Sequence, residues 1–137
     1  MLLRKHLRWL VLGLVLTFVI AGVAVAAGGN KIKIKAPKSV KIGKTFKVVT
    51  SGRATGQANY IVGIAANGPC EATYHDEYFA LGQPSTVNLA RPVHGKFKKM
   101  RKIRASFHGT VYWCAYLING QTGQTYLHKS KHWKQHS

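Results

Sequence analysis

Few residues in this chain have side chains that carry chemistry, and their spacing narrows what they could do. The acids are Glu71, Asp76 and Glu77 alone, and the cysteines Cys70 and Cys114 alone. His75-Asp76-Glu77 has the ligand types for a hard or borderline metal. Three consecutive residues converge on one ion only in an unusual loop, however, so a solvated loop is the expectation. His128, His132 and His136 fall four apart, which on a helix would align them as a metal-binding face. The residues between them are poor helix material, and a basic, disordered tail over 130–137 is expected instead. Neither cysteine has a catalytic signature around it. There is no glycine-rich phosphate loop, no paired carboxylates and no Ser/His/Asp set with a recognisable context. The expectation is a protein with no catalytic site, no metal and no cofactor.

Positive charge is what the chain has in excess. Twenty-one Lys+Arg against 3 Asp+Glu give a formal +18 over 137 residues. The densest run holds Lys96, Lys98, Lys99, Arg101, Lys102 and Arg104, and a second row is Lys31, Lys33 and Lys35. Strand alternation would place Lys98, Lys102 and Arg104 on one face. Such a surface attracts polyanions through sequence-independent, salt-sensitive forces. A cell-wall polymer, nucleic acid and an anionic membrane surface all qualify as partners, and no small-molecule substrate is implied. Tyr112, Tyr116 and Trp133 are candidate aromatic contacts beside these cations. The competing reading is that the lysines only keep a β-protein soluble and its edges unpaired.

The elements that must position these residues are strands. Gly109-Thr110-Val111-Tyr112-Trp113-Cys114-Ala115-Tyr116-Leu117 is an uncharged run of β-branched and aromatic residues, and it reads as a central strand. Lys31–Lys35 alternates strictly, with one wet and one buried face. Ala36-Pro37 then marks an edge strand that breaks or changes partner. Thr45–Thr50 is a strand closed by a Ser51-Gly52 turn and a polar loop through Asn59. Tyr60–Ala66 is apolar on both faces and reads as another central strand, stopped by Asn67-Gly68-Pro69. Glu71–Leu89 fits a strand or a short helix with a loop. His94–Phe107 fits a strand with a bulge near Met100, which is out of phase with Phe97 and Ile103. Gln124–His128 is the last strand.

Met1–Ala26 reads as a targeting segment. Arg4, Lys5 and Arg8 precede an uncharged run, and Ala24-Val25-Ala26 offers small-x-small cleavage after Ala26. The run is nearly long enough to stay as a membrane anchor. Residues 27–30 would be a linker, and the folded domain would span 31–129. Export makes a Cys70–Cys114 bridge the expected state of the two cysteines.

About seven short strands without a convincing helix indicate an all-β sandwich. In order, Lys31–Pro37, Val40-Lys41-Ile42-Gly43-Lys44-Thr45-Phe46-Lys47-Val48, a Cys after the third strand, Gly109-Thr110-Val111 and Cys114-Ala115-Tyr116-Leu117 resemble the immunoglobulin-like β-sandwich modules of exported bacterial proteins of the actinobacterial type. The resemblance implies an antiparallel sandwich over residues 31–129. The departures are clear: antibody-type domains place a cysteine on the second strand and a tryptophan on the third. Tyr112 stands two residues before Cys114, as in a tyrosine corner, which would turn both inward. The favoured phase instead buries Val111, Trp113, Ala115 and Leu117 and leaves Tyr112, Cys114 and Tyr116 on the outer face. Cys70 would then reach Cys114 within one sheet.

The expected function is an exported, cationic, non-catalytic binding or envelope-associated module, secreted or held at the cell envelope. A membrane-anchored structural or adhesion domain is the first rival. A secreted membrane-active protein is the second, although no amphipathic helix is apparent.

Overall fold

The computed structural model describes residues 29–56, 58–80 and 86–137. The targeting segment and its cleavage point at Ala26 lie outside these residues, as do Pro84 and Ser85. Eight strands run in order: β1 (Lys31–Lys35), β2 (Ser39–Lys41), β3 (Thr45–Ala54), β4 (Asn59–Ala66), β5 (Leu89–Pro92), β6 (Gly95–Arg104), β7 (Gly109–Asn119) and β8 (Thr125–His136). Among the described residues one short helix, α1 (Tyr74–Tyr78), precedes β5.

The strands form an immunoglobulin-like sandwich. Sheet A has the order β1-β3-β6 and sheet B the order β2-β8-β7-β4-β5. All pairings are antiparallel except β2 with β8. The change of partner expected at Ala36-Pro37 is present: β1 belongs to sheet A and β2 to sheet B. Proline has no N–H to give to a ladder, so the chain leaves one sheet there and joins the other.

The core lies between the sheets. Val111, Trp113, Ala115 and Leu117 of β7 all point into it, as the favoured phase requires. Trp113 is fully buried, and its Nε1 donates to Thr50 Oγ1 at 3.0 Å, tying sheet B to sheet A. The indole fills the space over Gly63 of β4, where any Cβ would collide with the ring.

Three expectations need correction here. Ser51-Gly52 is not a turn, because β3 continues through it to Ala54. A Cβ on Gly52 would run into the Lys31 carbonyl, so glycine here permits close approach of β1 rather than a reversal. The bulge at Met100 is also absent, since β3 and β6 pair from Thr45↔Arg104 to Ala54↔Gly95 without a slip. Met100 sits on the outer face, 49% exposed, next to Val49. Nothing among the described residues covers that face, so an apolar residue there breaks no packing rule.

The largest correction concerns residues 130–137. They are not a disordered tail: β8 runs to His136 and pairs with β7 along most of its length. Trp133 is fully buried against Phe46, with ring centroids 5.0 Å apart and planes at 74°. Its Nε1 donates to Gln135 Oε1 at 3.0 Å, and Gln135 Nε2 donates to the Phe107 carbonyl at 2.8 Å. One buried tryptophan and a satisfied polar neighbour outweigh a basic composition. The domain therefore extends past residue 129. The expected linker is likewise no loose spacer at its end, for Asn30 Oδ1 accepts from Thr55 N at 2.9 Å and Thr55 Oγ1 at 3.1 Å.

Candidate polyanion-binding face

The outer face of sheet A follows from strand phase and register. On β1, inward Ile32 and Ile34 leave Lys31, Lys33 and Lys35 outward and exposed. On β3, inward Val48, Thr50 and Ala54 leave Lys47 and Arg53 outward. On β6 the outward cations are Lys96, Lys98, Lys102 and Arg104. The ladders bring these rows together. Lys31, Arg53 and Lys96 are lateral neighbours, as are Lys33, Ser51 and Lys98, and Lys47 stands beside Lys102. Lysine and arginine stems lie along the sheet while their heads stay in water. No acid and no aromatic ring occupies this face among the described residues.

Two of the candidate cations are not part of it. Lys99 and Arg101 fall in the inward phase, opposite Thr50 and Val48. On an edge strand such side chains can turn past the sheet rim, and Arg101 is accordingly exposed and Lys99 half-buried. Lys47 and Arg53 were not singled out from sequence. Continuing the Thr45, Lys47, Val49 alternation through Ser51 would have found both, but the Ser51-Gly52 pair read as a stop.

The acids lie on the other side of the sandwich. A second apolar cluster (Val62, Ile64, Cys114, Tyr116 and Ile118) covers the outer face of sheet B, and Cys70, Tyr74 and Val87 pack onto it. The covering segment carries Glu71, Asp76 and Glu77. Thr73 caps α1, its Oγ1 accepting from Asp76 N at 3.2 Å. Tyr74 N donates to Thr125 Oγ1 at 2.9 Å and holds the helix over β8. His75 and Asp76 are exposed, with His75 Nδ1 3.5 Å from Asp76 Oδ1. Glu77 is not solvated as expected but 2% exposed, its Oε2 accepting from Glu71 N at 3.0 Å and its Oε1 3.2 Å from Cys114 Sγ.

Cys70 and Cys114 form the disulfide, with Cα atoms 5.6 Å apart and a sequence separation of 44. The bond joins the segment after β4 to β7 on the outer side of sheet B and does not cross between sheets. Both sulfurs are committed to it, so their nearness to Glu77 does not make a metal site in this state. Replacing both cysteines by alanine is expected to cost roughly 2–4 kcal/mol in urea unfolding, since the open chain regains loop entropy.

The aromatic candidates are dispersed. Trp133 is in the core and contacts no ligand. Tyr116 is fully buried beneath the α1 segment, with its hydroxyl donating to the Glu71 carbonyl at 2.7 Å. Tyr112 is half-buried against His132, at 5.5 Å between centroids, on the opposite sheet from the lysine rows. None of the three forms a platform with the cations. His128, His132 and His136 do share a face, but on a strand rather than a helix. Four strand residues span about 13 Å, too far for two of them to ligate one ion.

Burial, and then the nearby Glu77, Glu71 and Asp76 charges, push the Tyr116 hydroxyl well above its ordinary value of 10.0. A raised phenol pKa means the neutral form is the one the fold favours. Its stabilising contribution is complete below pH 10 and is lost as pH rises from there toward the folded value. Alkaline unfolding above pH 10, followed by near-ultraviolet circular dichroism, should therefore show a component that Tyr116→Phe removes. An unchanged alkaline limb in that variant would count against this account.

The sequence matches no protein family profile and no curated protein. Among solved structures, the chain is similar to a superoxide reductase (neelaredoxin) from Ignicoccus hospitalis, with TM-score 0.51 and 14% identity over 82% of this chain and 86% of that one. It is also similar to the CARDB domain of PF1109 from Pyrococcus furiosus, with TM-score 0.48 and 9% identity over 78% of this chain and 94% of that one. A second structure of that domain, in complex with di-metal ions, gives 0.47 and 10% over 80% and 90%. At 14% identity the likeness to the reductase speaks to the fold alone. The activity must be argued from this chain's own surface.

Proposed function

We propose that this protein is an exported, non-catalytic module that binds anionic polymers through the outer face of sheet A. One observation carries the reading: among the described residues nine exposed cations share that face without an acid, while the three acids of the chain sit on the opposite side of the sandwich. If the lysines served only solubility, they would be interspersed with the opposite sign. Segregation instead gives the molecule a direction, so that an anionic surface meets sheet A first. The disulfide fits an oxidising compartment and supports the export reading drawn from Arg4, Lys5, Arg8 and the apolar run after them. The absence of rings on this face favours contact with charged backbones over stacking on bases.

The test is binding of the protein to an anionic cell-wall polymer, to duplex DNA and to anionic vesicles across a salt series. The reading expects binding to the wall polymer that persists near 0.15 M salt, where the screening length is about 8 Å. Equal binding to all three that disappears at that salt would reduce the charge to a general surface property.

A further inference from the structure

The basic face is not uniform. Between its two ends lies a row of Lys35, Val49 and Met100, where two of three positions are apolar. Beyond that row toward the end of β6 are Lys47, Lys102 and Arg104. On the other side the sheet forms a shallow depression of about 470 Å³. Lys31, Lys33, Arg53, Lys96 and Lys98 line it together with Ser51, and Phe97 borders it.

The depression has a built rim. Asn30 clamps Thr55 through two hydrogen bonds, which fixes the start of β1 beside the end of β3 and so holds Lys31 against Arg53. Gly29 completes the wall, where a Cβ would collide with Thr55. Gly52 lets β1 come close to β3. Lys31, Arg53 and Lys96 follow one another at the strand spacing of about 4.8 Å, and Lys33 and Lys98 stand one pleat away, about 6.7 Å along the strands. Five cationic positions thus fall within roughly 10 by 7 Å of the sheet, an area that one molecule of a few linked groups can cover. Their mutual repulsion is relieved most effectively by an anion with several charges at short spacing. Ser51 adds a neutral hydroxyl donor between Lys33 and Lys98.

Resting on the polyanion reading, we infer that this cup is a discrete site for condensed phosphate, a chain of directly linked phosphate groups, distinct from the remainder of the face. Linked phosphates offer the short spacing and high charge the cup requires. A lone phosphate or carboxylate engages only part of it.

Titration calorimetry of the protein with inorganic tripolyphosphate near physiological salt tests this. One saturable site per chain is expected, clearly tighter than for inorganic monophosphate. Arg53→Ala/Lys98→Ala should weaken it roughly thirtyfold, from about 1 kcal/mol per cation. Lys47→Ala/Lys102→Ala removes the same charge outside the cup and should leave the affinity nearly unchanged. Melting curves of both variants check that the fold is intact. Equal weakening by both pairs, or no saturable binding, would overturn the inference. A nucleoside triphosphate should bind no tighter than tripolyphosphate, as Phe97, the ring that borders the depression, is buried in the core and is not free to stack on a base; markedly tighter binding would also overturn it. Polymer binding that survives without a tripolyphosphate site sinks the cup alone, whereas loss of both sinks the polyanion reading with it.

Discussion

A chain ending at Ser130 is expected to be unable to reach the native state. The truncation removes Trp133, whose fully buried indole packs on Phe46. Deleting a buried tryptophan side chain costs about 3–5 kcal/mol on its own. Gln135 goes with it, along with its bond to the Phe107 carbonyl. So do Lys134 to His136, the residues that pair with β2, and the partners of Gly109 to Trp113 on β7. Small domains have only about 5–15 kcal/mol in total, so these losses together consume it. Far-ultraviolet circular dichroism and urea titration of the truncated chain read the outcome. A cooperative transition at the full-length midpoint would mean that the last strand is dispensable and the described core incomplete.

The second large effect concerns binding. Reversing Lys33, Lys98 and Lys102 to Glu is expected to abolish polyanion binding at physiological salt. Each cation near an anionic surface contributes about 1 kcal/mol, and a reversal both removes an attraction and adds a repulsion. Three reversals therefore cost roughly 6 kcal/mol, on the order of four powers of ten in affinity. The matched control reverses Lys41, Arg91 and Lys134, all exposed and all on strands of sheet B. It changes net charge by the same amount and should retain most of the binding. Isotherms for the two triple variants against the wall polymer separate a binding face from bulk charge. If both fall equally, location has no role and the segregation of charge is incidental. All six positions are on solvent-facing side chains, so folding should survive in each variant.

Much of the frame was legible in the residues. The alternation of Lys31–Lys35, the break at Pro37, the apolar run of β4 and the uncharged run of β7 each carry a local signal that tertiary packing only confirmed. The pairing of Cys70 with Cys114 was equally accessible, because the phase that buries the bulkier set of β7 leaves Cys114 on the outer side. Where the reading failed, a local signal was stronger than the one that mattered. Ser51-Gly52 has the composition of a turn, yet its glycine serves close strand approach. Residues 130–137 have the composition of a tail, yet they contain a tryptophan, a residue whose large apolar surface seldom stays in water. Met100 broke the pattern only if every apolar residue of β6 had to be inside.

The sequence by itself determined that this is an all-β, disulfide-bearing, strongly cationic chain, because periodicity, composition and cysteine count are local or additive properties. Only the tertiary structure decided which cations lie together. Lys47 and Arg53 join the face, Lys99 and Arg101 leave it, Trp133 goes to the core, and the three acids go to the far side. Those assignments depend on cross-strand register and on which sheet each strand joins, and both are set by contacts between residues distant in the chain.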